Sequence, residues 1–375
     1  LAGIYLHIPF CKQKCSYCDF HFSTSLKNKK ALINSILKEI ELRKGDLTEP
    51  ISTIYFGGGT PSLLQIDELN LLVDRLHKNY TIAKDVEFTV ECNPDDLTKQ
   101  KLIDLKRVGV NRLSIGVQSF FDDDLQFFNR AHAAKEAEQS ILMSQDSGFE
   151  NITIDLIYGT PMLTQKKWEY NLKKVAKLNV PHLSAYSLTI EPKTALNHRV
   201  KTKKIQLLPE EEVIKQFNTL IDFTVQIGMV HYEISNFAKE GYISKHNSNY
   251  WKGVNYLGFG PSAHSFYGDK RVWNVSNNTK YIKAIENNEP FFEAEIINEY
   301  TAYNEYVMTR LRTIWGIDLI ELEGKFNTTL VNHFKKEINP FIQNECVQQK
   351  DKVFTLTKNG IFIADKVSSD LFYIS

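Results

Sequence analysis

Two hydrophobic periods alternate along the first half of the chain. Short β-rich runs at Ile4–Ile8, Ser52–Phe56, Val86–Glu91, Arg112–Val117, Ile152–Ile157 and His182–Leu188 begin 26 to 48 residues apart, the length of a strand–helix unit. Between them the apolar period lengthens. In Lys30–Arg43, Leu32, Ile36 and Ile40 recur four apart with Ile33 and Leu37 beside them, a stripe that predicts a helix with one face in a core. Asp67–His77, Thr98–Val108, Ala133–Ser147 and Gln165–Leu178 read the same way, and several of these stretches end at Gly or Asn, as helix stops do.

Six consecutive units with near-continuous apolar strands predict a parallel sheet covered by helices, with function at the C-terminal ends of the strands. Periodicity leaves open whether the sheet closes into a barrel. From Pro209 the rhythm changes to a long helical pattern (Glu210–Ile227), a short strand (Val230–Ile234), and a Gly- and aromatic-rich loop from Ser244 to Trp273. The last 80 residues read as a small separate module. Helices at Tyr300–Thr313, Asp318–Leu322 and Thr328–Glu337 precede Lys352–Leu356, a Lys-Asn-Gly turn and Ile361–Ala364, read as a hairpin; the order is that of a winged helix. The chain therefore divides into 1–208, 209–295 and 296–375.

Composition changes this picture mainly by exclusion. With 375 residues, 42% hydrophobic and 24% charged, the chain can bury a full core and is not of disordered type. Its 45 Lys and Arg balance 45 Asp and Glu, so no global field draws in nucleic acid or an anionic membrane. The winged module holds 9 basic against 10 acidic residues, which argues against DNA as its partner. No apolar run approaches the ~18 residues of a membrane span, and LAGIYLHIPFCKQ is too short and mixed for a signal peptide. A cytoplasmic location is the expectation.

Three of the five cysteines, Cys11, Cys15 and Cys18, fall within eight residues directly after the first strand. Such a loop lets three thiolates converge on one object, and two readings compete. A structural zinc site needs a fourth closed ligand, for which His7 or His21 is available. An iron–sulfur cube can use three thiolates and leave one iron open to a small molecule. A zinc-stabilised nucleic-acid adaptor using the wing is the corresponding third functional class. Cys92 and Cys346 read as ordinary buried small residues.

Other chemistry lies at the expected strand ends. Gly57-Gly58-Gly59-Thr60-Pro61 follows the second strand, where glycines let backbone approach a ligand, and it lacks the Lys-Ser/Thr of a phosphate loop. Glu91 ends the third strand, Gln118 follows the fourth and Asp155 lies within the fifth, so one pocket can gather them.

Together these segments carry a resemblance. The CxxxCxxC loop is similar to the signature of radical S-adenosylmethionine (SAM) enzymes. YLHIPFC, GGGTP at 57–61, ECNP at 91–94, GVQS at 116–119, DLIYGTP at 155–161 and HNSNYWKGVNYLGFGPSAHS at 246–265 resemble the oxygen-independent coproporphyrinogen III oxidase family, in order from Tyr5 to about His264. The resemblance implies a radical SAM partial (β/α)6 TIM-like barrel with a small C-terminal winged-helix-like α+β module. It implies a [4Fe-4S] cluster on Cys11, Cys15 and Cys18 whose open iron holds the amino and carboxylate groups of SAM. It implies SAM contacts from Tyr5, Gly58, Gly59, Thr60, Glu91, Gln118, Arg130 and Asp155, and a second-SAM contact at Tyr17.

Phe20 departs from the oxidase, whose pattern has a further cysteine there, and it matches the HemW branch of the family, understood as heme chaperones. That branch implies heme binding and delivery to an acceptor protein. The oxidase reading, decarboxylation of coproporphyrinogen III by a SAM-derived radical, is the alternative. Residues 246–273 contain seven aromatics among glycines, twice the chain average. Such residues offer flat apolar faces to a planar ligand, and a neutral imidazole can ligate its iron. His246, in His-Asn-x-x-Tyr-Trp, is the candidate heme ligand by resemblance; a self-packed loop with a hydrogen-bonded histidine is the plainer possibility, and His264 and His7 are weaker candidates.

Overall fold

A computed structural model describes residues 1–374; Ser375, the end of the expected winged module, lies outside them. The six expected strands form, as β1 (Ala2–Ile8), β2 (Ile51–Gly58), β3 (Ile82–Cys92), β4 (Arg112–Gln118), β5 (Asn151–Tyr158) and β6 (His182–Ser187). They lie side by side in chain order and all run parallel. The five expected helices between them, Lys29–Leu42, Ile66–Asn79, Lys99–Arg107, Ala134–Asp146 and Gln165–Lys177, stand within two residues of their expected ends, and a further short helix, Asp122–Phe128, follows β4.

The sheet is twice as wide as the six units require. β7 (Val230–Glu233) and β8 (Asn236–Ala238) add antiparallel pairs beyond β6, and β9 (Tyr256–Phe259) lies parallel to β1 on the other side. β10 (His264–Tyr267), β11 (Lys270–Asn274) and β12 (Phe292–Ile296) then run outward as an antiparallel meander. The order from β12 to β7 leaves a twelve-stranded open sheet, the form of a partial barrel.

Residues 244–273 are therefore not the loop that their glycines imply. They form the helix Lys245–Trp251 followed by β9, β10 and β11. Gly253, Gly260 and Gly268 sit at positive φ at the joints between these elements, so they punctuate regular structure instead of preventing it. A buried carboxylate fastens this extension to the first helix. Glu39, fully buried, accepts from the Gly260 amide and the Asn274 amide group at 2.8 Å each and pairs with Arg43, which donates to the Gly258 carbonyl. Each partner of this ion pair is further hydrogen-bonded, the condition under which a buried pair is tolerated.

Strand alternation divides the sheet into two unlike faces. Ile4, Ile54 and Phe88 lie in register on the helix-covered face, as do Leu6, Phe56, Val90, Leu113 and Ile152, all buried. The opposite face is polar. Tyr5, Tyr55, Thr89, Arg112 and Asn151 form one row across five strands, and Glu91, Ser114, Thr153 and His182 form the next.

The C-terminal stretch builds its own small core from Tyr303, Val307, Leu322, Leu330, Phe334 and Phe354. Helices Glu299–Leu311 and Thr328–Glu337 form where expected, and the middle helix runs over Leu319–Lys325. The hairpin expectation is shifted by one element. β14 (Val347–Lys350) and β15 (Val353–Leu356) are the paired strands, joined by β15 to β13 (Ile317–Asp318), while Lys358–Ile361 begins a short helix capped by Thr357. Gly360 is not a turn residue: a Cβ there would lie 1.9 Å from the Cys346 carbonyl oxygen, so the glycine admits a close approach of two segments. Cys346 itself is partly exposed, unlike Cys92, which is buried as expected.

Candidate cofactor site

The cysteine loop leaves β1 where His7 meets Gly57 and Ile8 meets Gly58. Cys11, Cys15 and Cys18 are all free and partly exposed. Burial pushes the Cys11 thiol up and the Cys18 thiol up to about 11, and the neighbouring cysteines of the loop push both in the same direction. Thiols gathered on one such loop need a cationic object to ionise together. His7 and His21 are already engaged. His7 Nδ1 bonds the Tyr5 hydroxyl at 3.1 Å and its Nε2 the His21 carbonyl at 2.9 Å, while His21 Nε2 bonds Asn278 at 2.7 Å. Among the described residues no three His, Cys, Asp or Glu side chains meet as the ligands of a single ion. A cube takes one thiolate per iron and needs no such meeting point, so this donor set fits it.

Beside the loop, the glycine run forms a cradle. Gly58 has φ +107°, and a Cβ on it would lie 2.6 Å from the His7 ring. Its amide donates to Glu91 Oε2 at 3.1 Å, and the Tyr55 hydroxyl donates to Glu91 Oε1 at 2.8 Å. Thr60 is buried, and its hydroxyl accepts from Asn93 at 3.3 Å. Burial raises Glu91 to about 7 against these two hydrogen bonds, with Asp155 adding to the rise. Asp155 is raised by burial to about 6, opposed by a hydrogen bond from Ser184 and by the charges of Arg112 and Arg130. Two carboxylates held this high are poised to gain from a cationic ligand.

Arg130 links the cradle to the cysteines. One Nη donates to Cys15 Sγ at 3.4 Å, and the other donates to Asn93 Oδ1 at 2.7 Å and the Gly116 carbonyl at 2.9 Å. Its Nε is buried with no protein partner. Gln118, buried at the end of β4, is held at φ +65°, a conformation that costs a non-glycine residue energy and that clusters at ligand sites. Tyr17 packs edge-on against Phe128 at 5.3 Å, within the electrostatic reach of Arg130, Cys15 and Cys18. Tyr5, Gly58, Gly59, Thr60, Glu91, Gln118, Arg130 and Asp155 thus all stand on the polar face or the rim of one half of the sheet. Phe20 is 68% exposed just past Cys18.

His246 is carried by a helix and not by the expected loop. It sits on the helix Lys245–Trp251, 2% exposed, with Nδ1 hydrogen-bonded to Thr53 and Nε2 to Tyr250, both at 2.8 Å. Burial first, and Arg112 second, lower its pKa to about 3, so the ring is neutral. Iron ligation requires a free ring nitrogen, and here both are occupied. Of the aromatics grouped with it, Phe259 is fully buried in the core and Tyr250 packs edge-on against Tyr256. The far end of the helix meets the C-terminal segment, where Arg312 lies over the Trp251 ring at 5.6 Å and Lys252 over Trp315 at 4.4 Å.

Sequence reasoning missed Tyr55, Thr53, Asn93 and Arg112. Alternation along β2 was the available signal, since Thr53, Tyr55 and Gly57 must share the face that carries Tyr5.

A partial barrel with a CxxxCxxC loop after β1 and a glycine cradle after β2 defines a radical SAM protein. Residues 5–175 match the Radical SAM superfamily and residues 297–363 the HemN C-terminal domain. The solved Escherichia coli coproporphyrinogen III oxidase (HemN) superposes with a TM-score of 0.85 over 99% of this chain and 90% of its own, at 23% identity, a likeness of fold. The Bacillus subtilis heme chaperone HemW is 34% identical over 98% of both chains. The Lactococcus lactis and Escherichia coli proteins of that name are 31% and 36% identical over 97% and 70% of this chain, and over 95% and 69% of their own. The chain belongs to the HemW heme chaperone family of radical SAM proteins, a family whose scaffold implies a [4Fe-4S] cluster and SAM.

Proposed function

We propose that this chain binds heme and passes it to an acceptor protein, on a scaffold that holds a [4Fe-4S] cluster and SAM. The observation that carries the reading is the end-to-end similarity to the Bacillus subtilis protein named heme chaperone HemW. Cys11, Cys15 and Cys18 would hold the cluster, which when bound supplies a coordination position for SAM and a one-electron donor. Tyr5, Gly58, Gly59, Thr60 and Gln118 would line the SAM pocket. Glu91 and Asp155 would meet its cationic and hydroxyl groups, Arg130 its carboxylate, and Tyr17 a second SAM.

Heme is the cargo. Phe20 supports delivery over oxidase chemistry, because an exposed aromatic side chain stands where the oxidase pattern has a cysteine. His246 remains the candidate heme ligand, and it can reach iron once its bond to Thr53 or to Tyr250 opens. The proposed setting is the cytoplasm, where thiols stay reduced, with segments 1–208 and 209–295 forming the cofactor body and 296–375 an appended module. Among the described residues no helix is long and apolar enough to cross a membrane, so an acceptor at a membrane would be met peripherally.

Titration of heme into the purified protein is expected to give a saturable Soret shift, and addition of an apo-acceptor to move the heme. A Soret band that never shifts would end this reading. A shift of equal affinity in His246→Ala would remove His246 as the ligand and leave the function standing.

A further inference from the structure

We propose that His246 is a positioning residue of the SAM pocket, clamping Tyr55 so that its hydroxyl stays aimed at Glu91. The inference rests on the reading that SAM occupies the Glu91 side of the site, and it concerns a layer beneath that site.

The contacts form a continuous chain. The His246 ring stacks on Tyr55 with centroids 4.8 Å apart and planes 23° off parallel, and on Tyr5 at 6.5 Å and 28°. Tyr55 then donates to Glu91 Oε1 at 2.8 Å, while Gly58 of the cradle donates to the other oxygen. The His246 ring is fixed at both of its nitrogens, by Thr53 and by Tyr250, so it cannot rotate away from Tyr55 without leaving a buried polar group unpaired. Its backbone is fixed as well. The amides of His246 and Lys245 donate to the two carboxylate oxygens of Glu87 on β3 at 2.8 and 2.9 Å, anchoring the start of the helix.

Gly3 leaves room for the hydroxyl that holds the ring: a Cβ there would lie 2.9 Å from Thr53 Oγ1, with His246 Cε1 at an ordinary 3.6 Å. A neutral imidazole locked by two hydroxyls and laid flat on a tyrosine supports the geometry of the group that the tyrosine touches.

The test uses the full-length protein with its cluster reconstituted, measuring SAM affinity by equilibrium dialysis and heme affinity by Soret titration on the same preparations. His246→Leu is expected to weaken SAM binding about tenfold, the effect of one misaligned hydrogen bond to a charged group. Tyr55→Phe should weaken it similarly, and the double variant no more than the worse single, because both act through one contact. His246→Phe keeps a ring on Tyr55 and should fall between Leu and wild type, a graded rescue that general unfolding would not give; circular dichroism confirms that each variant is folded. SAM affinity within twofold of wild type in His246→Leu, or losses that add in the double variant, would overturn the proposal. Loss of heme binding with SAM affinity retained would overturn it too, and would favour the ligand role. Heme failing to bind even the wild type would sink the chaperone reading while leaving the SAM measurements to judge this one.

Discussion

Arg130 donates to the sulfur of Cys15 at 3.4 Å, a cation placed by the link between helices Asp122–Phe128 and Ala134–Asp146 against a thiol of the loop after β1. The same guanidinium holds Asn93 and the Gly116 carbonyl, so it ties the cysteine loop to the ends of β3 and β4. Replacing it with glutamine removes three donors at once and leaves Asn93 Oδ1 and a backbone carbonyl short of partners. Arg130→Gln is expected to lower stability by about 2–3 kcal/mol and to reduce SAM affinity at least tenfold, read by chemical denaturation and equilibrium dialysis.

Glu91 and Asp155 make a pH prediction with a definite sign. Both carboxyls hold their protons more tightly in the folded chain, Glu91 at about 7 against an ordinary 4.5 and Asp155 at about 6 against 3.8. At these two groups the folded state therefore binds more protons than the unfolded one between about pH 4 and pH 7, and their contribution to stability falls as pH rises across that window, against the opposite slope of buried neutral histidines such as His246. Thermal denaturation of the cluster-free protein, read as the difference between Glu91→Gln and wild type, should show the variant's Tm gaining on the wild type's as pH rises from 4.5 to 7.5. SAM affinity should rise over the same window, because a cationic ligand gains when the carboxylates ionise.

The three cysteines lie on a loop outside the hydrophobic core. Cys18→Ser is accordingly expected to keep the fold, with far-ultraviolet circular dichroism unchanged, while iron and acid-labile sulfide per chain after anaerobic reconstitution fall by more than half. Retention of full iron in Cys11→Ser, Cys15→Ser and Cys18→Ser alike would remove the loop as the cluster site.

Gly360 gives a prediction about the C-terminal core. A methyl group there meets the Cys346 carbonyl at 1.9 Å, closer than any relaxation of side chains can relieve. Gly360→Ala should detach β14 from the helix that follows β15 and destabilise the protein by about 1–3 kcal/mol, in the range of overpacking. Urea denaturation followed by tryptophan fluorescence checks it.

What could be read from the sequence divides along the two faces of the sheet. Ile4, Ile54 and Leu113 announce their strands because they pack under helices, and the helices announce themselves by the matching stripe, as in Leu32, Ile36 and Ile40. The cysteine spacing marks a metal-binding loop without any knowledge of the fold, and the resemblance is what proposes a cluster there. Tyr55 and Arg112 stayed hidden since a threonine, tyrosine or arginine inside an apolar run looks like tolerance and not like a row. β9 was unreadable for a different reason: its four residues pair with β1 at the opposite end of the chain, a relation no local period encodes. His246 shows the limit most clearly. Its motif offers it as a ligand by resemblance, and nothing local shows that Nδ1 is bonded to Thr53, 193 residues away.

The helix that carries His246 is seven residues long and engaged along its whole length. His246 and Tyr250 are one turn apart and face the interior together, while Trp251, the next residue round, turns toward Arg312. Each residue advances the helix by about 100°. Deleting or inserting one residue between His246 and Trp251 would swing one contact out of register whenever the other is kept. A point change at Asn249, an open position of the His-Asn-x-x-Tyr-Trp pattern, leaves that spacing intact, so the stretch should tolerate substitution there and scarcely any change in length.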